Sequence, residues 1–219
     1  MTAFPSRATV EHARTLIPHM CHQFYQQGWF TGTGGGISIR QGERVYVAPT
    51  GIQKERIGSE DLFVLDRDRK IIEEPADDTM RISACLPLFY NAYDLRGAGA
   101  VLHSHSRHAV IATMLTTSDV FRVTHLEMIK GLRGKGYRDV VEIPIIENTE
   151  HEADLTDAMR DAMMRHPDVD AVLVRRHGVY VWGDSWQQAK TQAECLDYLF
   201  AAASEMRRLG LDPSVPEGK

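Results

Sequence analysis

The tightest constraint on the fold of this chain is a turn. Residues 37–40 and 44–48 are short strand-like runs joined through Gln41-Gly42. A link that short closes antiparallel strands, because parallel neighbours need a crossover of about a dozen residues or more. A wholly parallel sheet is therefore disfavoured. Further strand patterns fall at 62–65, 71–72, 98–105, 140–146, 171–175 and 179–182. Helical patterns lie between them. Val10, Ala13, Ile17, Met20 and Phe24 recur at steps of three and four, which predicts a helix over 9–27 stopped by Gly28. Helices are also expected over 83–95 with Ser83 as N-cap, over 107–115, briefly over 124–131, and over 185–209 before Gly210. Thr149 and Glu152 match the T-x-x-E capping box, ahead of a helix whose apolar face is Leu155, Ala158, Met159, Ala162 and Met163. This order predicts an α/β fold: a three-layer helix–sheet–helix sandwich with a central mixed, mostly antiparallel sheet. With 219 residues and neither linker nor repeat, one domain is expected over 1–219, its core at about 9–210 and its ends loose.

Charge and cysteine usage narrow the partners. Lys and Arg total 25 against 30 Asp and Glu, a net charge of −5, which argues against a nucleic-acid partner. No apolar run nears the ~18 residues of a membrane span, so no membrane partner is expected. The first residues, MTAFPSRATVEHAR, lack the apolar stretch of a signal peptide. Cys21, Cys85 and Cys195 are far apart and odd in number. Together these give the expectation of a reducing, cytoplasmic setting.

The chemistry starts at His103-Ser104-His105. Side chains two apart on a strand share a face, so both imidazoles project together from the end of an apolar run. They read either as metal ligands or as partly exposed strand-end histidines. His177, in the Arg176-His177-Gly178 link between two strands, offers a third imidazole at the mouth of the sheet. Three neutral imidazoles with one open position are the pattern of a catalytic zinc site. Glu127, between Leu126 and Met128, reads as an acid facing a dry pocket, or as an exposed side chain paired with Lys130 or Arg133. Cys85 reads as a thiol whose pKa is lowered in the first turn of a helix, or as a small buried hydrophobe.

The loop Thr31-Gly32-Thr33-Gly34-Gly35-Gly36 is rich in backbone N–H groups free to approach a ligand. It fits neither G-x-G-x-x-G, whose third glycine would fall on Ile37, nor a P-loop. A phosphate or sugar phosphate suits it better than a nucleotide. Thr50-Gly51, with Lys54 and Arg56 close by, is a second candidate anion nest.

Taken together, GWFTGTGGGIS (28–38), VAPTGIQKERI (47–57), RGAGAVLHSHS (96–106), THLEMIKG (124–131), IPIIENT (143–149) and VRRHGVYVWG (174–183) resemble the class II aldolase/adducin family. The nearest resemblance is to its methylthioribulose-1-phosphate dehydratase branch. That resemblance implies one Zn2+ per subunit, held by His103, His105 and His177. It implies Glu127 as general acid/base and Cys85 as a substrate contact. It implies phosphate binding by the loop containing Gly34, Gly35 and Gly36 and by Thr50 and Gly51, with Lys130 a candidate cation. It also implies a small-molecule sugar-phosphate substrate, and a homotetramer with sites at subunit interfaces. Aldolases of the family carry a glutamate at the position of Cys85 and an asparagine at that of Gly36. This sequence has neither, which favours loss of water over carbon–carbon cleavage. A scaffold role, as in the adducin heads, is the alternative of another class.

Overall fold

The structure, a computed structural model, describes residues 12–216. Nine strands form one sheet: β1 Gly36–Gln41, β2 Arg44–Val47, β3 Phe63–Leu65, β4 Ile71–Glu73, β5 Ala100–Ser104, β6 Val120–Val123, β7 Val141–Ile146, β8 Ala171–Val174 and β9 Gly178–Gly183. Their order across the sheet is β4-β3-β2-β1-β5-β9-β8-β7-β6. Every named pairing is antiparallel except β7 with β8. The mixed, mostly antiparallel sheet expected from the hairpin at Gln41-Gly42 is the one found.

Side-chain alternation explains the layers. In the central strands, Ala100, Leu102, Leu173, Val179 and Val181 point to one face. There they meet α1 (Ala13–Gln26), α3 (Arg107–Ala112) and α5 (Trp186–Arg208). Val101, Val172, Val174, Tyr180 and Trp182 point to the other, against α2 (Leu86–Arg96) and α4 (Thr156–Arg165). A strand buried on both faces reads as a continuous apolar run, which is why β8 is AVLV.

Several boundaries differ from expectation, each for a local reason. The first helix begins at Ala13 among the described residues; Thr9 and Val10 lie outside them. The second begins at Leu86, because Ser83 Oγ accepts the Cys85 N–H at 3.2 Å and holds residues 83–85 as a turn. Edge strand β6 was not expected; it is short and carries Arg122, so its apolar signal is weak. The chain after Gly210 is not loose throughout: Pro213 is buried and its carbonyl accepts the Thr124 N–H at 2.9 Å. The capping box does not form. Thr149 Oγ1 donates instead to the His151 carbonyl at 2.8 Å, and Glu152 opens a 3-10 turn, Glu152–Leu155, ahead of α4.

The central pair β5–β9 sets His103 opposite Tyr180 and Ser104 opposite Val179. The backbones come so close at its end that a Cβ on Gly178 would lie 2.0 Å from the Ser104 carbonyl oxygen. Gly42, at φ +62, has nothing within 4 Å of such an atom and only a strained backbone to lose. Gly178→Ala is therefore expected to cost about 1–3 kcal/mol or more, and Gly42→Ala about 1 kcal/mol. Urea denaturation of the two variants checks this; equal midpoints would show that β5 and β9 do not need their close approach.

Candidate metal centre

Three histidines arrive at one point from three backbone settings. His103 is on β5, with its ring stacked on cross-strand Tyr180 (centroids 4.1 Å apart, planes at 11°). His105 lies just past the strand end, where its N–H bonds the Trp29 carbonyl at 2.9 Å. Its ring lies against Gly34, where a Cβ would stand 2.4 Å from Nδ1, so the glycine loop and the ring need one another's shape. His177 sits in the β8–β9 turn after Arg176, whose φ of 56° is left-handed. The Nε2 atoms are 2.9 Å (His103–His105), 3.0 Å (His105–His177) and 3.2 Å (His103–His177) apart.

Hydrogen bonds behind two of the rings set their tautomers. His103 Nδ1 donates to the Val179 carbonyl at 3.3 Å, and His177 Nδ1 to Asn148 Oδ1 at 3.0 Å. Each then turns an Nε2 lone pair toward the common point. Burial, then the neighbouring imidazoles, holds His103 well below its ordinary pKa. The same two effects bring His105 down to about 4. Neutral imidazoles are the form that binds metal. A tetrahedral zinc at about 2.0–2.1 Å from each nitrogen sets its ligand atoms about 3.3–3.4 Å apart, close to the spacing found. The donor set thus fits a divalent cation, and lone pairs this close repel without one.

The rest of the expected site divides. Cys85 is beside the histidines, buried, with Sγ 3.6 Å from where a Cβ on Gly36 would stand, so positions 36 and 85 face each other. Gly35 packs under the His103 carbonyl and Gly36 pairs with His103. Thr50 spends its N–H on the Arg81 carbonyl at 2.9 Å, leaving its hydroxyl rather than its amide to an anion. Glu127 does not face a buried pocket in the single chain. Its side chain is 72% exposed and accepts from Lys130 Nζ at 2.9 Å, because the 3-10 turn Glu127–Gly131 turns Ile129, not Glu127, inward. Arg133 is engaged by Asp170 and Asp184 and is not a free phosphate cation.

Two residues escaped sequence reasoning. Glu152 sends its carboxylate to the histidines, with Oε1 3.4 Å from His103 Nε2 and Oε2 3.6 Å from His177 Nε2. Lys54 is 1% exposed and donates to the Thr33 carbonyl at 2.7 Å, tying the glycine loop from beneath. Burial lowers its pKa. The only sequence signal for Lys54 was its closeness to Thr50-Gly51.

Fold and site together define an α/β protein with a three-histidine cluster able to hold a divalent cation, and comparison with known proteins gives its family. The family model described as Class II Aldolase and Adducin N-terminal domain matches residues 15–204. The chain belongs to that family. It is 57% identical over 210 residues to methylthioribulose-1-phosphate dehydratase of Aquarana catesbeiana, covering 93% of this chain and 88% of that one. Against the Homo sapiens protein of the same name it is 55% identical over 217 residues, covering 95% and 90%. Among solved structures, an L-fuculose 1-phosphate aldolase superposes with a TM-score of 0.76 over 97% of this chain and 94% of its own, at 18% identity. A sugar-phosphate aldolase from Thermotoga maritima does so with a TM-score of 0.67 over 91% and 97%, at 16% identity. Those likenesses show the shared fold.

The thiol expectation is overturned. Burial first, then the Glu152 charge, pushes Cys85 up to about 12, and burial does the same to Cys21. Both are protonated at pH 8. Iodoacetamide is expected to leave both unmodified in the native protein and to alkylate both in urea, read by peptide mass. Rapid native labelling of Cys85 would contradict the buried, protonated thiol.

Proposed function

We propose that this chain is a zinc-dependent dehydratase. It removes one water from 5-methylthio-D-ribulose 1-phosphate to give 5-methylthio-2,3-dioxopentyl phosphate, a step of methionine salvage. The observation that carries the reading is the convergence of three imidazoles in a chain that matches proteins of that activity at 57% and 55% identity over nearly its whole length. One Zn2+ per subunit is assigned to His103, His105 and His177. When bound, it polarises substrate oxygens as a Lewis acid. Residues 34–36 and the Thr50-Gly51 turn receive the phosphate, with Lys54 holding the loop in shape and Lys130 a candidate cation at the rim. Cys85 lines the pocket at the place where the aldolase pattern has a carboxylate. The C3–H and C4–O bonds break, and the proton and hydroxide leave as water. The enol left behind tautomerises to the diketone.

Glu127 is the proposed proton carrier, as base at C3, as acid at the C4 oxygen, or as both. In the single chain it is exposed and paired with Lys130. That position suits a residue that serves the site of a neighbouring subunit, and the expected homotetramer with sites at subunit interfaces supplies one. The proposed setting is cytoplasmic; among the described residues no helix is long and apolar enough to cross a membrane.

Mass analysis of the protein mixed with 5-methylthioribulose 1-phosphate tests the reaction. Loss of one water that stops with a chelator, or in His177→Ala, is expected. Two smaller carbon fragments would restore the aldolase reading, and turnover by metal-free His177→Ala would remove the zinc assignment.

Glu127→Gln should retain metal yet lower kcat by about 10²–10⁴-fold. Co-expression of Glu127→Gln with His103→Ala should recover part of the activity in mixed oligomers, since some sites then hold an intact triad and an intact Glu127. Activity no higher than that of the two inactive parents would rule out action between subunits.

A further inference from the structure

Three imidazoles leave one side of a tetrahedral metal to another ligand. On the side toward α2 and β9 the structure places a carboxylate from a different element. Glu152 lies on the 3-10 turn after β7, with 17% of its side chain exposed. Its two oxygens are 3.4 and 3.6 Å from the inward nitrogens of His103 and His177. Each oxygen thus lies near one nitrogen, at a distance close to the edge of a tetrahedral zinc site, about 3.3–3.4 Å, on the side of the cluster formed by His103 and His177. Tyr180, the residue paired with His103 across β5 and β9, donates its hydroxyl to Oε1. Cys85 Sγ lies 3.8 Å from the same oxygen.

Charge makes the placement informative. A carboxylate largely removed from water needs a cation or several donors. Among the described residues, the ion-pair partners of Glu152 are only His103 and His177. The Tyr180 hydroxyl is one donor and the Cys85 thiol a weak second. The remaining demand is for a positive charge at the point where the three nitrogens meet.

We propose that Glu152 is an exchangeable fourth ligand of the metal, held in place by Tyr180 and released when substrate oxygens take its position. This rests on reading the three histidines as a metal site. It adds that the carboxylate which aldolases of the family carry at the position of Cys85 is supplied here from the turn after β7. The bound carboxylate lowers the net charge of the centre from +2 to +1 and retains the ion between turnovers. Substrate needs only to displace an arm already anchored by a tyrosine, not to strip a closed four-ligand cage.

Metal binding to the full-length protein in its own oligomer tests this apart from catalysis. Cobalt(II) is titrated in competition with a chromophoric chelator, and the visible absorption of the cobalt protein is recorded. Glu152→Gln keeps the shape and removes the charge. It is expected to weaken cobalt affinity by about 10–100-fold and to shift the visible band. Glu150→Gln, on the exposed part of the same segment, should do neither. Glu152→Asp, which keeps the charge on a shorter arm, should shift the band with a smaller loss of affinity, and it carries the comparison if the glutamine variant does not fold. A Glu152→Gln protein with wild-type affinity and an unchanged band would overturn the role of Glu152 and leave the three-histidine centre standing. Failure of the wild-type protein to bind cobalt would overturn both.

Discussion

The site depends on one strand pairing. β5 and β9 run antiparallel at the middle of the sheet, and their register sets His103 across from Tyr180. Because the period of a strand is two, a slip by one residue would turn His103 to the opposite face. Several devices prevent the slip. Ala100 and Leu102 pack into one core while Val101 packs into the other, and their partners Val181 and Trp182 do the same. The contact of Gly178 with the Ser104 backbone leaves no room for a side chain there. The same contact brings the β8–β9 turn onto the end of β5, and with it His177 onto His103 and His105. Core packing and ligand placement are one constraint, which is why the three nitrogens converge before any ion is considered.

Around that point the electrostatics are unusual. Two imidazoles are kept neutral by burial and by each other. Lys54 adds a buried ammonium beneath the glycine loop, satisfied by the Thr33 carbonyl and adding to the depression of both histidine pKa values. Burying an ammonium costs less when a carbonyl replaces water at the donor, but the charge stays. A positive potential thus underlies the loop that the anion reading assigns to phosphate, while Glu152 is the carboxylate placed among the imidazoles. Separated charge of this kind suits a substrate with a phosphate at one end and oxygens to be polarised at the other.

Much of this was legible from local pattern. Short apolar or alternating runs between turns marked eight of the nine strands among the described residues, and the H-x-H spacing put two imidazoles on one face with no knowledge of the fold. His177 was legible because a His-Gly link between two apolar strands has few conformations open to it. What local pattern could not show is what depends on distant partners. Thr149 and Glu152 have the spacing of a capping box, and only the Tyr180 hydroxyl and the histidines beside it show that the carboxylate has another use. Lys54 stood out only as a cation close to Thr50-Gly51, and its burial under the glycine loop is a tertiary fact, since lysines are almost never fully buried. Glu127 sits between two apolar residues, yet a 3-10 turn points its side chain to solvent. For Cys85, the helix N-terminus argued for a thiolate and burial for a thiol, and desolvation outweighs the partial charge of one helix end.

The Cys85 result bears on how one fold separates two reactions. Positions 36 and 85 face each other across a short gap, and here they hold a glycine and a protonated thiol. A carboxylate at 85 would stand on the N-cap of α2, at the floor of the pocket. The carboxylate of Glu152 reaches the space beside Cys85 from the turn after β7, with Tyr180 bonded to it and Cys85 Sγ 3.8 Å from its Oε1. Loss of water calls for proton transfer at C3 and at the C4 oxygen, and in place of a carboxylate on α2 this chain offers Glu152, from another element, beside His103 and His177. In the proposed reading those two atoms are served by Glu127 of a neighbouring subunit. On this argument the choice between cleavage and dehydration lies less in the metal, whose three imidazole ligands suit both, than in which backbone element delivers the carboxylates.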